Sequence, residues 1–493
     1  MEVSRRRFLQ ASAAVAAGVT LPSACAGADQ RRARASGPDR PNVLLVVIDS
    51  LRADAVYENA VHTPNMGALI DEGVRFTNTF PEAMPTVPAR NSIFSGHRIF
   101  PFRGWHDYPG LIQKPGWSPL HDVHNALPAV LRRAGYWTAY VSDNPFFGYS
   151  SSYAPFRQNV DHVARTGGQI GGLRPVSSVP DRVLRHWLHP ASLDPKARRR
   201  VGLYLANSRS WEDPRKTYAA RVFGNAMSVL DDARKKRPFA MIVDSYEPHE
   251  PWTPPPQFLR QYGDPDWRGP EPAMLRYGRS DNWLEPGEQG AVIGRLRDLY
   301  AAEVTMTDLW LGRLIDRLHD HGLERETIIV LISDHGILLG EHGWTGKIQT
   351  ALYPTLIRVP FIVIDPSRRH AGRTSRFFAS THDVAPTILS MADVGAPEKM
   401  TGADLSRVFG DRPLPERPYA YGGYADSFYI RSKRWALWAW NKPMSFKLYD
   451  LERDPGYHDN VADRHPSVVK DLYGKVLARA GGRLPYYDVE RGS

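Results

Sequence analysis

The chain has 493 residues, of which 42% are hydrophobic and 24% are charged, so it can bury a large core and is not a disordered protein. Its net charge of +10 comes from scattered Arg and Lys rather than from a compact basic motif with interleaved aromatic residues, which argues against nucleic-acid binding. A basic surface also suits small anionic substrates, because it steers them by long-range attraction.

Residues 1–39 are predicted to be an export signal and a linker. The pair Arg5 and Arg6 precedes an Ala- and Val-rich stretch that ends near residue 26. That stretch is too short for a membrane span, which needs about 20 apolar residues. Paired arginines in this setting are typical of twin-arginine export, so we expect a periplasmic, cell-surface or extracellular protein.

Cys25 is the only cysteine, and it ends the segment LPSAC at 21–25. This is an imperfect lipoprotein box, because Pro22 stands where leucine is usual. A lipid anchor at Cys25 and simple cleavage of the signal both remain open. The sequence does not indicate an oligomeric state.

Nearly continuous apolar runs predict strands that are buried on both faces. They cover residues 42–48, 239–243, 327–332 and 361–364. Helical spacing of leucines from about 290 to 321 predicts a long helix. The alternation of strands and helices predicts an α/β sandwich with a large, mostly parallel central sheet flanked by helices.

Residues 146–216 show little strand periodicity, and we expect loops and short helices that cover the site and set the substrate. Their basic run at 198–200 is expected to be solvated surface. Short aromatic runs in the last hundred residues predict a small antiparallel sheet, at 428–431, 435–440 and 446–449. We therefore predict a catalytic domain over 40–395 and a small C-terminal α+β domain over 396–493.

Polar residues follow three of the predicted buried strands. Asp49 follows the first, Glu247 and His249 follow the second, and Asp334 and His335 follow the third. Because the carboxyl ends of parallel strands share one edge, these side chains should converge. Asp49, Asp334 and His335 suit one divalent cation, although a rim of capping carboxylates is the alternative.

Thr86 lies in the segment TVPAR at 86–90. Pro88 favours a first helical turn, so Thr86 is predicted at or beside a helix N-terminus, where an anion is favoured. Either the hydroxyl is a nucleophile, or it only caps the helix. Arg90 lies one helical turn after Thr86, on the same face of the predicted helix. It is predicted to bind nonbridging oxygens of the substrate.

These segments and their order resemble the sulfatase family of the alkaline phosphatase superfamily. Further matching stretches are TPN at 63–65, GVRFTN at 73–78, SDHG at 333–336, GEHG at 340–343, THDVAPT at 381–387 and LYDLERDP at 448–455. The resemblance covers about residues 40–465. It implies an alkaline-phosphatase-like fold, an ester hydrolase and one divalent cation, which is Ca²⁺ in sulfatases.

The resemblance fails at the nucleophile. Sulfatases carry Cys or Ser at the position of Thr86 and oxidise it to formylglycine, whereas oxidation of threonine would give a ketone. Lipoteichoic-acid synthases and phosphoethanolamine transferases of the same superfamily use a Thr nucleophile and a Mn²⁺ or Zn²⁺ site. The metal set Asp49, Thr86, Asp334 and His335 maps onto theirs, except that Asp49 replaces a usual Glu.

The resemblance also implies roles around that set. Lys347, in GWTGK at 343–347, stands where sulfatases place a site lysine. His249, in EPHEPW at 247–252, matches their Pro-His-x-Pro segment and is expected to protonate the leaving oxygen. Ser50 stands where a second metal-binding Asp is frequent. Asp143 stands where sulfatases bind sulfate, so it must face away or act differently.

Three interpretations follow. The leading one is a metal-dependent phosphoester hydrolase or phosphotransferase with Thr86 as its nucleophile and Arg90, His249 and Lys347 as catalytic and substrate-binding residues. The second is a sulfuric-ester hydrolase that acts without formylglycine. The third is a non-catalytic binding protein on a sulfatase scaffold.

Overall fold

The structure is a computed structural model, and it describes residues 40–170, 174–208, 213–441 and 444–487. The export signal and Cys25 therefore lie outside the described residues. From Pro38 onward the chain forms one compact unit. No helix within the described ranges is long and apolar enough to cross a membrane.

The strands are, in chain order, β1 Asn42–Ile48, β2 Val74–Thr79, β3 Ala83–Met84, β4 Trp137–Ser142, β5 His162–Arg165, β6 Phe239–Ser245, β7 Gly278–Arg279, β8 Thr327–Ser333, β9 Leu338–Leu339, β10 Trp344–Gly346, β11 Phe361–Ile364, β12 Arg373–Ala379, β13 Tyr419–Tyr424, β14 Ser427–Ser432, β15 Trp435–Asn441 and β16 Met444–Asp450.

The α-helices are α1 Ala53–Tyr57, α2 Pro64–Glu72, α3 Thr86–Ser95, α4 Leu127–Arg133, α5 Pro145–Tyr149, α6 Ala154–Gln158, α7 Asp181–His186, α8 Pro195–Asn207, α9 Tyr218–Ala233, α10 Pro256–Leu259, α11 Gln289–Asp320, α12 Pro354–Ile357, α13 Val384–Met391 and α14 Pro466–Arg479.

Eight strands form the central sheet in the order β12-β2-β11-β8-β1-β6-β4-β5. Neighbouring strands are parallel except at β11, which runs antiparallel to β8 and β2. The predicted α/β sandwich with a mostly parallel sheet is confirmed. The four predicted strands are its central members, where both faces are covered and the sequence is continuously apolar.

Alternate residues of β1 point into two separate cores. Leu44, Val46 and Ile48 pack on one face with α9 and α11. Val43, Leu45 and Val47 pack on the other face with α3, α4 and α13. Because both faces of the sheet are buried, only the ends of its strands are left for polar side chains.

The C-terminal sheet has the order β16-β15-β14-β13-β3. The three predicted aromatic strands are present as β14, β15 and β16 and pair antiparallel. Its last strand, β3, comes from Ala83–Met84 and pairs parallel with β13. The sheet therefore anchors the segment that leads directly into α3. The division of the chain at residue 395 stays a proposal.

Within 146–216, the described residues fold mainly into short helices, as predicted, but they also contain β5 and the 13-residue helix α8. Strand β5 extends the central sheet next to β4. It is short and only partly buried, so its sequence HVAR lacks an apolar pattern that would reveal a strand.

Candidate active site

Asp49 and Asp334 directly follow two adjacent parallel strands, β1 and β8, at the same level of the sheet. Ile48 of β1 lies opposite Ser333 of β8, and each carboxylate belongs to the next residue. His335 follows, and one potential ligand atom from each of the three side chains lies within 4.8 Å of the others. All three residues are fully buried. The predicted convergence of Asp49, Asp334 and His335 is confirmed.

The donor atoms of this group fit a divalent cation. His335 Nδ1 lies 2.8 Å from the Gly336 carbonyl oxygen, so it carries the ring proton and leaves the Nε2 lone pair available. Asp49 Oδ2 is buried and accepts no hydrogen bond, and the cation of Arg90 lies beside it, with Nη1 at 3.1 Å. Burial, and then the charge of Asp334, raise the pKa of Asp49 to about 7. A cation would relieve that repulsion.

Ser50 holds the two carboxylates instead of adding a third. Its Oγ donates to Asp49 Oδ1 at 2.8 Å, and its backbone N–H donates to Asp334 Oδ1 at 3.0 Å. The backbone of Ser50 has φ 58°, a left-handed conformation that is uncommon for residues other than glycine. The tight turn after β1 thus positions both acidic residues.

Thr86 is the first residue of α3, and Pro85 occupies the N-cap position without a side-chain cap. The alternative that Thr86 only caps the helix does not fit this geometry. Its Oγ1 lies 3.5 Å from His335 Nε2. The hydroxyl thus faces the nitrogen that would bind a cation, and Thr86 can itself become a ligand.

Most N–H donors of Arg90, which is predicted to bind the substrate, are engaged by groups of the protein itself. Nε and Nη2 donate to Asp244 at 3.0 and 2.7 Å. Nη1 donates to Asp334 Oδ2 and to the Thr86 carbonyl oxygen and lies 3.1 Å from Asp49 Oδ2. The guanidinium is fully buried. Arg90 therefore positions the metal carboxylates and Thr86 rather than offering free donors to a substrate.

The main partner of Arg90 is Asp244, a residue that is not among the predicted site residues. Tyr140 also donates to Asp244, with 2.7 Å between Oη and Oδ2. Both residues are fully buried. The position of Asp244 near the end of the apolar strand β6 is a signal in the sequence that could have identified it, because a charge buried there needs a buried partner.

Lys347 and His249 form a second cluster beside the metal group, together with Glu250. Lys347 Nζ lies 2.9 Å from Glu250 Oε2 and 3.2 Å from His249 Nε2. Burial by itself would raise the pKa of Glu250, but the charges of Lys347 and Arg200 help to hold it well below its usual range. Lys347 also lies close enough to Asp49 for its positive charge to offset part of the rise in the pKa of Asp49, so the two clusters adjoin.

The surroundings of His249 favour its neutral form. Burial lowers its pKa well below the usual value, and Lys347 and Arg200 add to this. Its Nδ1 lies 2.7 Å from the Glu250 carbonyl oxygen, so the ring proton belongs there and Nε2 accepts from Lys347. Lys347, rather than His249 alone, carries the proton that could reach a leaving oxygen.

Asp143 belongs to a separate group of buried acids. It accepts from the backbone N–H of Tyr246 at 2.7 Å and from Gln169 Nε2 at 3.0 Å, and burial raises its pKa to about 7. Gln169 also donates to Glu247, another buried acid, and the nearby carboxyl of Glu303 adds to the rise in the pKa of Glu247. The expectation that Asp143 would have to face away is consistent with these partners.

The Glu247–Glu303 pair should make the folded state less stable as the pH rises. Burial raises the pKa of Glu303 to about 8 and that of Glu247 well above its usual value. The folded state therefore binds more protons than the unfolded state between about pH 4.5 and 8, and the associated stability is lost across that range. Glu303→Gln removes one of these two titrating carboxyls and keeps the shape of the side chain.

Between pH 5 and pH 8, the free energy of unfolding of Glu303→Gln should increase relative to that of the wild type by about 1.4 kcal/mol or more. This is the equivalent of one pKa unit. Urea unfolding at both pH values measures this difference. Glu326→Gln, which changes a partly exposed glutamate, is the control. An equal change of stability at the two pH values would contradict the raised pKa of Glu303.

Comparison with known families gives three matches along the chain. The model described as Sulfatase matches residues 41–394. The model described as N-sulphoglucosamine sulphohydrolase, C-terminal, matches residues 340–479. The model of the TAT (twin-arginine translocation) pathway signal sequence matches residues 2–22, which confirms the predicted export signal.

Individual relatives carry both sulfatase and phosphatase names. An arylsulfatase of Clostridium perfringens is 23% identical and spans 88% of this chain and 95% of its own. The multifunctional alkaline phosphatase superfamily protein PehA of Trinickia caryophylli is 26% identical, and the match spans 74% of this chain and 76% of PehA. The structure of a phosphonate monoester hydrolase from Silicibacter pomeroyi has the same fold, with a TM-score of 0.68 at 20% identity over 90% of this chain and 96% of that chain.

Proposed function

Because the chain belongs to the sulfatase family of the alkaline phosphatase superfamily and is a hydrolase of ester bonds, we propose that it cleaves phosphoesters, or transfers their phosphoryl group, with Thr86 as its nucleophile. The observation that carries this proposal is the position of Thr86 Oγ1, 3.5 Å from His335 Nε2 at the buried Asp49–Asp334–His335 group. A threonine cannot become formylglycine, so an unmodified hydroxyl has to act.

A divalent cation held by Asp49, Thr86, Asp334 and His335 would lower the pKa of the Thr86 hydroxyl and offset charge on the ester oxygens. After the Thr86 hydroxyl gives its proton to solvent water, Oγ1 attacks phosphorus, and the bond to the leaving oxygen breaks as the new bond forms. Lys347, oriented by Glu250 and His249, supplies a proton to the leaving oxygen. Water, or an acceptor alcohol, then releases Thr86.

A sulfuric ester is the second candidate substrate. It is favoured by the family match over residues 41–394 and by the arylsulfatase relative, which spans 88% of this chain. The metal would be Ca²⁺ if the protein follows sulfatases, and Mn²⁺ or Zn²⁺ if it follows the relatives with a Thr nucleophile. A non-catalytic role does not stand, because the family is one of hydrolases and the metal-binding group is complete.

The test is a matched set of aryl esters with one leaving group. 4-Nitrophenyl phosphate, bis(4-nitrophenyl) phosphate and 4-nitrophenyl sulfate are compared with the purified protein in the presence of Mn²⁺, Zn²⁺ or Ca²⁺. We expect kcat/KM for at least one phosphoester to exceed that for the sulfate by about tenfold or more, or about 1.4 kcal/mol in transition-state binding. The reverse order would favour the sulfuric ester.

A further inference from the structure

Arg200 reaches the active site from the segment predicted to set the substrate. It lies on α8, one turn from the buried residues Ala197 and Tyr204. Its neighbours Arg198 and Arg199 are exposed. The expectation that residues 198–200 are solvated surface is therefore wrong for Arg200, because the phase of the helix turns this side chain inward.

The guanidinium of Arg200 lies against His249, and one of its nitrogens, Nε, has no hydrogen-bond partner. Nη2 is 3.3 Å from His249 Nδ1 and 3.4 Å from the Glu250 carbonyl oxygen. Since Nδ1 carries the proton that goes to Glu250, it cannot also accept from Arg200. Nε of Arg200 is buried and has no hydrogen-bond partner. A buried donor of this kind is costly unless a ligand satisfies it.

Arg200 and Lys347 lie at opposite edges of the same imidazole. Lys347 Nζ contacts Nε2 of His249, and Arg200 contacts the Nδ1 edge. His249 and Lys347 are only 4% and 6% exposed, whereas Arg200 is half-buried. Arg200 thus lies beyond the residue proposed to serve the leaving oxygen and nearer to solvent.

We infer that Arg200 binds an anionic group carried by the leaving-group portion of the substrate, such as a carboxylate, sulfate or phosphate. This inference rests on the proposed function, which places Lys347 and His249 on the leaving-group side. A guanidinium matches an oxyanion with two parallel N–H donors, and a lysine would offer only a point charge. The substrate would then be an ester of an acidic alcohol.

The experiment compares two leaving groups, 4-nitrophenol and 3-carboxy-4-nitrophenol, as esters of whichever acid the wild type cleaves. We expect the wild type to prefer the carboxylated ester by about tenfold in kcat/KM. Arg200→Ala should reduce that ratio to about one, and Arg200→Lys should keep part of it. Arg198→Ala, which removes an exposed arginine paired with Asp181, should leave the ratio unchanged.

Equal losses on both esters in Arg200→Ala would overturn the inference and make Arg200 a positioning residue for His249. A wild type without any preference would overturn it as well. If the wild type cleaves no ester, the proposed function has failed, and calorimetric binding of 5-hydroxy-2-nitrobenzoate against 4-nitrophenol still tests Arg200. Tighter binding of the benzoate that Arg200→Ala removes would support the anion site; equal binding would refute it.

Discussion

Replacing Thr86 by alanine should reduce turnover by on the order of 10³-fold or more while the protein stays folded. The hydroxyl is the only part of this side chain that can attack an ester, and its Oγ1 lies 3.5 Å from His335 Nε2. Thr86 lies at the start of α3, and alanine keeps the Cβ atom there and favours a helix. Steady-state kinetics on the ester that the wild type cleaves best measures the effect.

Thr86→Ser is the matched control, because it keeps the hydroxyl and removes the methyl group. It should retain a measurable part of the activity, which a pure packing role of the methyl group would not explain. Mass spectrometry of the peptide that contains Thr86, after brief reaction with a phosphoester, should show a phosphate adduct. Full activity of Thr86→Ala with an unmodified peptide would instead indicate direct attack by water.

Removal of divalent metal by a chelator should abolish activity, and Asp49→Asn should weaken metal binding by more than about 100-fold, beyond the range typical of outer-shell substitutions. Asparagine keeps the shape of the side chain and can still accept the hydrogen bond from Ser50 Oγ. It removes the negative charge that a cation needs beside Asp334. Calorimetric titration with Mn²⁺, Zn²⁺ and Ca²⁺, together with elemental analysis, measures both effects.

Asp143→Asn provides the control for Asp49→Asn. Asp143 is equally buried, but its carboxylate accepts from Tyr246 and Gln169 rather than joining the metal-binding group. Its substitution should leave the metal affinity within about threefold of the wild type, or about 0.6 kcal/mol. A metal-free protein with full activity, or unchanged metal binding by Asp49→Asn, would show that this group is not a metal centre.

Much of the scaffold could be predicted because its signals are local. Strands β1, β6 and β8 are covered on both faces, so their sequences are continuously apolar. The edge strands β5 and β12 are partly exposed, and nothing in their sequences separates them from loops. Strand β3 has two residues, and it becomes a strand only because β13 pairs with it.

The sequence by itself determined where the metal-binding residues and Thr86 lie, since the end of a buried strand and the start of a helix are local features. Only the tertiary structure decided what the charged side chains do. Arg90 is paired mainly with Asp244 from a distant strand, and the pKa of His249 is lowered by burial and by the charges of Lys347 and Arg200. Arg200 is chemically identical to Arg198 and Arg199, yet the packing of α8 alone turns it toward the site. Desolvation and pairing depend on neighbours far apart in the chain, so no local pattern predicts them.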